Sequence, residues 1–428
     1  MKKQNKNGSI YDVNERPPFL STIGLSFQHL FSMFGATVLV PLLVGLNPGV
    51  AIFASGIGTL LHMLITKGKI PAYMGSSFAF IVPMTSLMQS FGYPAVSQGI
   101  FSVGVVYLIT ALIVSRFGSN WIDIIFPPEV VGPVVMVIGL SLASSAAKDA
   151  TINSTNNHYD LKIFLVALLT LVLTITFNMY FKGFLGMIPV LLGIICGYIL
   201  AIFFGIVNFS SVLKAPWFAL PNFNSIFKSS GFYPSAIISM APLALVTISE
   251  HLGHIMVLNN ITKRNFFKKP GLHKTLAGDG AASLLSSFVG GPAITSYGEN
   301  IGVMQMSKVY SVWVIGGAAV LAILFSFVGK LSALIQTIPG AVIGGVGFML
   351  YGVIAAAGLQ VIVENKVDYS KKRNLMIAAP VLVIGIGNFD LKLPVANTTL
   401  TFTGMALATL LGIILNLVLP TKALSEKQ

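Results

Sequence analysis

Acid is scarce in this sequence. Aspartate and glutamate together number 13 in 428 residues, and all charged residues make up 9% of a chain that is 55% hydrophobic. So little charge, with a mean hydropathy of +0.85, excludes a soluble globular class and indicates an all-α polytopic membrane protein. Cysteine is nearly absent. Cys196 stands alone, so no intrachain disulfide and no cysteine metal cluster can form. The first eighteen residues carry Lys2, Lys3, Lys6 and Arg16 but no short apolar core with a cleavage site, so they read as a cytoplasmic tail. The stretch from Thr421 reads as a second polar tail, with no soluble domain appended and no cofactor implied.

A net charge of +13 would suggest nucleic acid if the cations were clustered on one surface. Instead they alternate with apolar segments. About fourteen such segments can be read, with both termini on one side. The tails and turns of that side hold 20 Lys and Arg, including Lys67, Lys69, Lys263, Arg264, Lys268, Lys269 and Lys371 to Arg373. The other side holds six: Lys148, Lys162, Lys214, Lys228, Lys330 and Lys392. The bias is the positive-inside signature and places both termini in the cytoplasm. The chain's surroundings are a lipid bilayer, not nucleic acid.

With acid so scarce, each acid inside a span is informative. Ser249-Glu250-His251-Leu252-Gly253-His254 lies within an apolar run from Ser235 to Leu258, 24 residues or about 36 Å of helix. The nearest cations along the chain, Lys263 and Arg264, begin thirteen residues on, about 20 Å away on a helix. His254 lies one turn from Glu250 on the same face. A carboxylate here costs about 2.5–3.5 kcal/mol on insertion scales, so it faces protein or water. Such a pair either ties two spans together or forms a substrate and proton site. Glu299 is the second acid without an adjacent cation. The remaining acids are assigned to tails, loops or span ends; Glu129, after Pro128, suits a helix start. His62 reads as packed or interfacial, and His158 and His273 as loop residues.

Two stretches interrupt the helical pattern. Ile70 to Phe80 contains Pro71, Gly75, Ser76 and Ser77, and Gly290 to Asn300 contains two glycines, Pro292, Thr295 and Ser296. Extended backbone at membrane depth is tolerated only where protein buries it or a cavity borders it. The two halves also share landmarks. Gln28-His29-Leu30 matches Glu250-His251-Leu252. His29 precedes Pro71-Ala72 by 42 residues and His251 precedes Pro292-Ala293 by 41. Pro128 and Pro339 each open a Val- and Gly-rich span. Three matches in order indicate duplication, and seven spans per half make the copies inverted repeats. The fold class is therefore fourteen spans as two inverted seven-span repeats, with short extended segments in spans 3 and 10 and a midplane site where they meet. Broken spans expose the first amides of half-helices. With carboxylates and the aromatic faces of Tyr73, Phe78 and Tyr297, they suit a flat heterocycle of alternating N–H and C=O groups. Uracil fits, and so do xanthine and thymine.

The chain resembles the nucleobase–ascorbate transporter family from about Glu15 to Pro420. The resemblance is strongest in Gly35–Pro41, Lys67–Phe80, Glu250–His254, Ser296–Gly302 and Leu350–Ile354. It implies a core domain (residues 19–116 and 233–330) and a gate domain (117–232 and 331–420), flanked by tails 1–18 and 421–428. It further implies proton symport of uracil across the bacterial cytoplasmic membrane by alternating access, and is compatible with a homodimer through the gate domain. Carried over by motif, Glu250 and Glu299 would accept the nucleobase N–H groups. The amides of Phe78 and Gly298 would donate to its carbonyls. Tyr297 and Tyr351 would shape the pocket, and His254 would hold Glu250 and join the proton path. Gln28, His29, Ser77 and Asn300 are further candidates. The family signature usually ends in Thr plus a basic or small residue, where this chain has Ser307-Lys308, which bears on fine specificity.

Two other classes compete. Glu250-His251-x-x-His254 superficially resembles a zinc-protease helix, but that motif is His-Glu-x-x-His with histidines at i and i+4. Here they stand at i and i+3 with no third ligand evident, so no metal site is expected. An anion transporter on a related inverted-repeat fold is the other reading. Two carboxylates without cations would repel its substrate.

Overall fold

The computed structural model describes residues 8–153, 157–223, 231–395 and 398–420. The tail 421–428, the first seven residues of the N-terminal tail and Lys228 lie outside the described residues. Helices take the sequence positions that length and capping dictate. The first half comprises α1 (Phe19–Val44), α2 (Pro48–Ile65), strand β1 (Met74–Ser76), a 3-10 turn (Phe78–Phe80) running into α3 (Ile81–Phe91), and α4 (Tyr93–Phe117). It continues with α5 (Asn120–Ile125), α6 (Pro128–Leu140), α7 (Ala143–Thr151), α8 (Leu161–Tyr180), α9 (Gly183–Gly186), α10 (Pro189–Phe203) and α11 (Ser210–Lys214). The second half comprises α12 (Pro234–Thr262), α13 (Leu272–Val289), β2 (Ile294–Ser296), α14 (Gly298–Ser307), α15 (Val312–Ser326) and α16 (Gly329–Gln336). It ends with α17 (Gly340–Glu364), α18 (Lys372–Ile386), strands β3 (Leu391–Val395) and β4 (Thr398–Phe402), and α19 (Gly404–Val418). Among the described residues, seven helices are long and apolar enough to cross a membrane by length and composition: α1, α2, α4, α6–α7, α8, α12 and α17.

Punctuation is local chemistry. Asn47 caps α2 by accepting from the Val50 amide, with Pro48 at the first helical position. Gly290 closes α13 in the left-handed region, at φ 98°. Pro128 and Gly340, preceded by Pro127 and Pro339, open α6 and α17.

Packing is nearly closed under exchange of the halves. α4 packs on α13 as α15 does on α2, and α1 on α15 as α12 does on α4. α8 packs on α17 as α18 does on α6, and α10 on α8 as α19 does on α18. Where these helices cross, small residues let backbones touch. A Cβ at Gly104 would stand 2.8 Å from the Gly280 carbonyl oxygen, and one at Gly56 would stand 2.6 Å from that of Ala319. The self-paired elements are α2 with α13, α6 with α17, and β1 with β2. The helices form two groups: α1 to α4 with α12 to α15, and α6 to α10 with α17 to α19. In the second group only a minority of the residues in the apolar stretches of α8 and α17 is fully buried.

Two features depart from the sequence reading. Residues 9–15 do not trail as a free tail. The Ile10 amide donates to the Lys308 carbonyl (2.8 Å), Tyr310 and Val312 donate to Tyr11 and Val13 (both 2.9 Å), and Arg264 pairs with Asp12 at 2.7 Å. Val13 is fully buried among Ile255, Leu258 and Phe266. The β3–β4 hairpin was also not foreseen. Its Thr401 carbonyl accepts from Ser239 Oγ at 2.9 Å, joining it to α12.

These contacts tie residues 9–15 to the α14–α15 connection and to Arg264, just past the end of α12. A tag before Met1 and a reporter after Gln428 should report one compartment, and a tag inserted after His158 the other. Termini in different compartments would remove the seven-plus-seven scheme.

Candidate functional site

The two irregular stretches cross at the centre of the first helix group. β1 and β2 run antiparallel, with Met74 opposite Ser296, Gly75 opposite Thr295 and Ser76 opposite Ile294. The ladder continues through Ser77 N–H to the Ala293 carbonyl and Tyr297 N–H to the Tyr73 carbonyl, both at 2.9 Å. A helix starts immediately after each strand, at Phe78 and at Gly298. Their first amides have no preceding turn to bond. Two glycines permit this approach. A Cβ on Gly75 would collide with the Tyr297 ring, and one on Gly298 would stand 2.9 Å from His254 Nε2. Tyr297 is locked there, its hydroxyl donating to the Ser76 carbonyl at 2.9 Å and lying 3.2 Å from Thr37 Oγ1.

α12 brings its acid and imidazoles to this crossing. Glu250 keeps 48% of its side-chain surface accessible. From Glu250 onward one face of α12 is open, through Gly253, Met256, Val257 and Asn260, whereas no residue from Ser235 to Ser249 is exposed. Glu299, in the first turn of α14, is exposed as well. Both carboxylates thus reach open space on the side that carries the N-terminus. His254 Nε2 lies 4.0 Å from Glu250 Oε1, beyond hydrogen-bonding range, and its Nδ1 engages Ser296 Oγ at 3.2 Å. His254 is therefore held to the strand rather than to Glu250.

Behind Ser296 lies a carboxylate that the sequence reading assigned elsewhere. Asp279, on α13, is fully buried. Its Oδ2 sits 3.0 Å from His251 Nδ1 and accepts from the Ser296 amide at 3.1 Å, and its Oδ1 lies 3.7 Å from His62 Nε2. His251 Nε2 contacts Thr275 Oγ1 at 2.8 Å, and its Nδ1 lies 3.0 Å from Ser296 Oγ. A contiguous polar line therefore runs from the open side at Glu250 and His254 through Ser296 and His251 to Asp279. Asp279 is among the remaining acids that the sequence assigns to tails, loops or span ends. In fact α13 starts at Leu272, which puts His273 on the helix and Asp279 two turns inside. The signal available was Gly278 and Gly280 on either side of it, marking a close helix contact.

The other candidates separate. His29 and Asn300 meet across the halves: Asn300 Nδ2 donates to the His29 carbonyl and lies 3.2 Å from its Nδ1. Ser77 is buried and belongs to the ladder. Gln28 turns away from the crossing, and its amide points at Met187 Sδ. Tyr351 is buried on α17 among Leu142 and Ala146, in the second helix group. Glu129 pairs with Arg373 at 3.1 Å, a helix-start acid with a structural partner. Among the described residues no group of three His, Cys, Asp or Glu is arranged to hold a metal ion.

Comparison with known proteins identifies the family and the fold. Residues 20–393 match the model of the Permease family. The chain is 50% identical to the uracil permease of Bacillus subtilis (strain 168), over 98% of this chain and 97% of that protein. It is 46% identical to the uracil permease of Escherichia coli (strain K12), over 95% and 93%. It is 38% identical to the putative pyrimidine permease RutG of the same organism, over 99% and 95%. Among solved structures it is similar to the transmembrane domain of a cyanobacterium bicarbonate transporter, BicA, at a TM-score of 0.61 and 16% identity, covering 92% of this chain and 96% of that one. It is also similar to the murine Slc26a9 anion transporter in the inward-facing state, at 0.68 and 12%, covering 94% and 68%. These two share the inverted-repeat fold.

Asp279→Leu should leave His251 and the Ser296 amide without an acceptor, at about 1–3 kcal/mol for each buried group left unpaired. Thermal unfolding of the purified protein should fall well below native for Asp279→Leu and less for Asp279→Asn, which keeps an acceptor. An unchanged midpoint for Asp279→Leu would show that the network holds nothing together.

Proposed function

The chain belongs to the Permease family, and from that premise we propose that it imports uracil by proton symport across the bacterial cytoplasmic membrane. It is a multi-pass membrane transporter and not an enzyme. The observation that carries the reading is the meeting of two accessible carboxylates, Glu250 and Glu299, with the starts of two half-helices from opposite halves. Uracil offers N–H groups to the carboxylates and carbonyl oxygens to the amides of Phe78 and Gly298. The curated relatives named uracil permease support that substrate over xanthine. An anion fits worse, because both acids would repel it.

In this reading the first helix group is the core and the second the gate, and the excess of Lys and Arg makes the N-terminal side cytoplasmic. The open face of α12 then gives an inward-facing site. Protonation at Glu250, relayed by His254, removes a charge that would otherwise resist the move across the gate. A ligand shifts such an equilibrium only through its different affinity for the two states. Uracil and proton together therefore permit the transition.

Glu299→Gln replaces an acceptor with a donor and should weaken uracil binding roughly five- to 150-fold, the equivalent of about 1–3 kcal/mol for an unpaired buried group. Near-native binding by folded Glu299→Gln would count against its role. Uptake should rise as external pH falls and collapse with a protonophore. Glu250→Gln should lose accumulation even where it retains binding, and His254→Leu should weaken coupling more than it weakens the fold. Uracil-induced proton flux into proteoliposomes is the measurement. Accumulation without that flux, or concentrative uptake by Glu250→Gln, would refute the coupling.

A further inference from the structure

A second polar cavity, of about 590 Å³, opens on the face opposite the N-terminus. Its size falls within the ~300–1,000 Å³ of small-molecule sites. One wall is α3, with Thr85, Ser86 and Gln89; the others are α7 and the segments flanking the β3–β4 hairpin, with Ser144, Asn388 and Thr403. Its floor is apolar, at Leu43, Ile81 and Val82. Ile81 is three residues beyond Phe78, yet neither Glu250 nor Glu299 lines this space. The two carboxylates open toward the other side.

The lining states a chemistry. The carboxamides of Gln89 and Asn388 each present donors and an acceptor side by side, the complement of a ring amide edge. Thr403 is only 2% exposed, and its Oγ1 has no hydrogen-bond partner in the protein. A buried hydroxyl in that position takes a partner from the cavity it lines. Charge is nearly balanced, with Lys148 against Asp149 and Asp390, so nothing selects an anion. An apolar floor under paired amide groups suits a flat, neutral, polar ring.

We propose that this outer cavity is a second binding subsite for the same ligand class as the central site, a neutral heterocycle with alternating N–H and C=O groups. It rests on the transport reading above. Because it is walled by α3 on one side and the gate on the other, it would hold a ligand while the central site faces the opposite compartment.

Equilibrium dialysis of purified protein with radiolabelled uracil tests the assignment. Native protein should show two classes of site. Glu299→Gln should lose the tighter class and keep the weaker. Gln89→Ala should weaken only the weaker class, by roughly two- to tenfold for one hydrogen bond. Combined with Thr403→Val it should abolish that class while retained tight binding reports an intact fold. In a Cys196→Ser background, uracil should slow labelling of Ser144→Cys by an impermeant maleimide even when Glu299→Gln is present. A single class in native protein, lost with Glu299→Gln and accompanied by no protection of Ser144→Cys, overturns the subsite and leaves the transport reading standing. Native protein that binds no uracil overturns both.

Discussion

Extended backbone cannot stand alone at membrane depth. Each unpaired N–H or C=O there costs several kcal/mol, and no water is present to take it up. Residues 74–76 and 294–296 meet that demand by pairing with each other, and the arrangement of the centre follows. An antiparallel pair of two residue triplets fixes the halves in register about a pseudo-twofold axis. It also brings the starts of two helices, at Phe78 and Gly298, to the same place. Glycine at 75 is then required by the Tyr297 ring lying on the strand, and glycine at 298 by the His254 ring. The site is a consequence of the ladder.

The three acids at this depth divide by environment. Asp279 is sealed, and its oxygens face His251, His62 and the Ser296 amide. It orients the imidazole and the strand that carry the rest. Glu250 and Glu299 keep accessible surface, and His254 stops short of hydrogen-bonding Glu250. A carboxylate sealed inside the protein is out of a ligand's reach. The accessible pair is within it, and Ser296 connects that pair to the sealed one.

Much of this was legible in the sequence. Scarcity of acid exposed Glu250 and Glu299, and Pro and Gly at membrane depth exposed the broken stretches. Repeated spacing exposed the duplication, which the paired packing of α4 on α13 and α15 on α2 repeats in space. What escaped had a common cause, that nearness along the chain is a poor guide to nearness in the fold. Asp279 fell among the acids assigned collectively to tails, loops or span ends, although its partners come from α2, α12 and β2. Gln28 matched Glu250 in the repeat, yet its side chain points toward Met187. Residues 9–15 looked like a solvated tail because their partners, Arg264 and Lys308 to Val312, lie some 250 to 300 residues away. The β3–β4 hairpin was hidden inside a stretch that hydropathy alone assigns to a connection.

The fold by itself does not choose a substrate. Two solved proteins that share it are titled as a bicarbonate transporter and an anion transporter. Half-helix starts carry partial positive charge, and a site built from them alone would draw an anion. In this chain the same positions are answered by Glu250 and Glu299. The positive ends of the helices are thereby balanced, and the site presents acceptors beside donors. On the transport reading proposed above, that alternation repels a simple anion and fits a ring whose edge alternates in the opposite sense. In that reading, selectivity resides in two side chains placed against a shared backbone geometry. Changing either acid should then alter which ligand is held and leave in place the ladder that positions it.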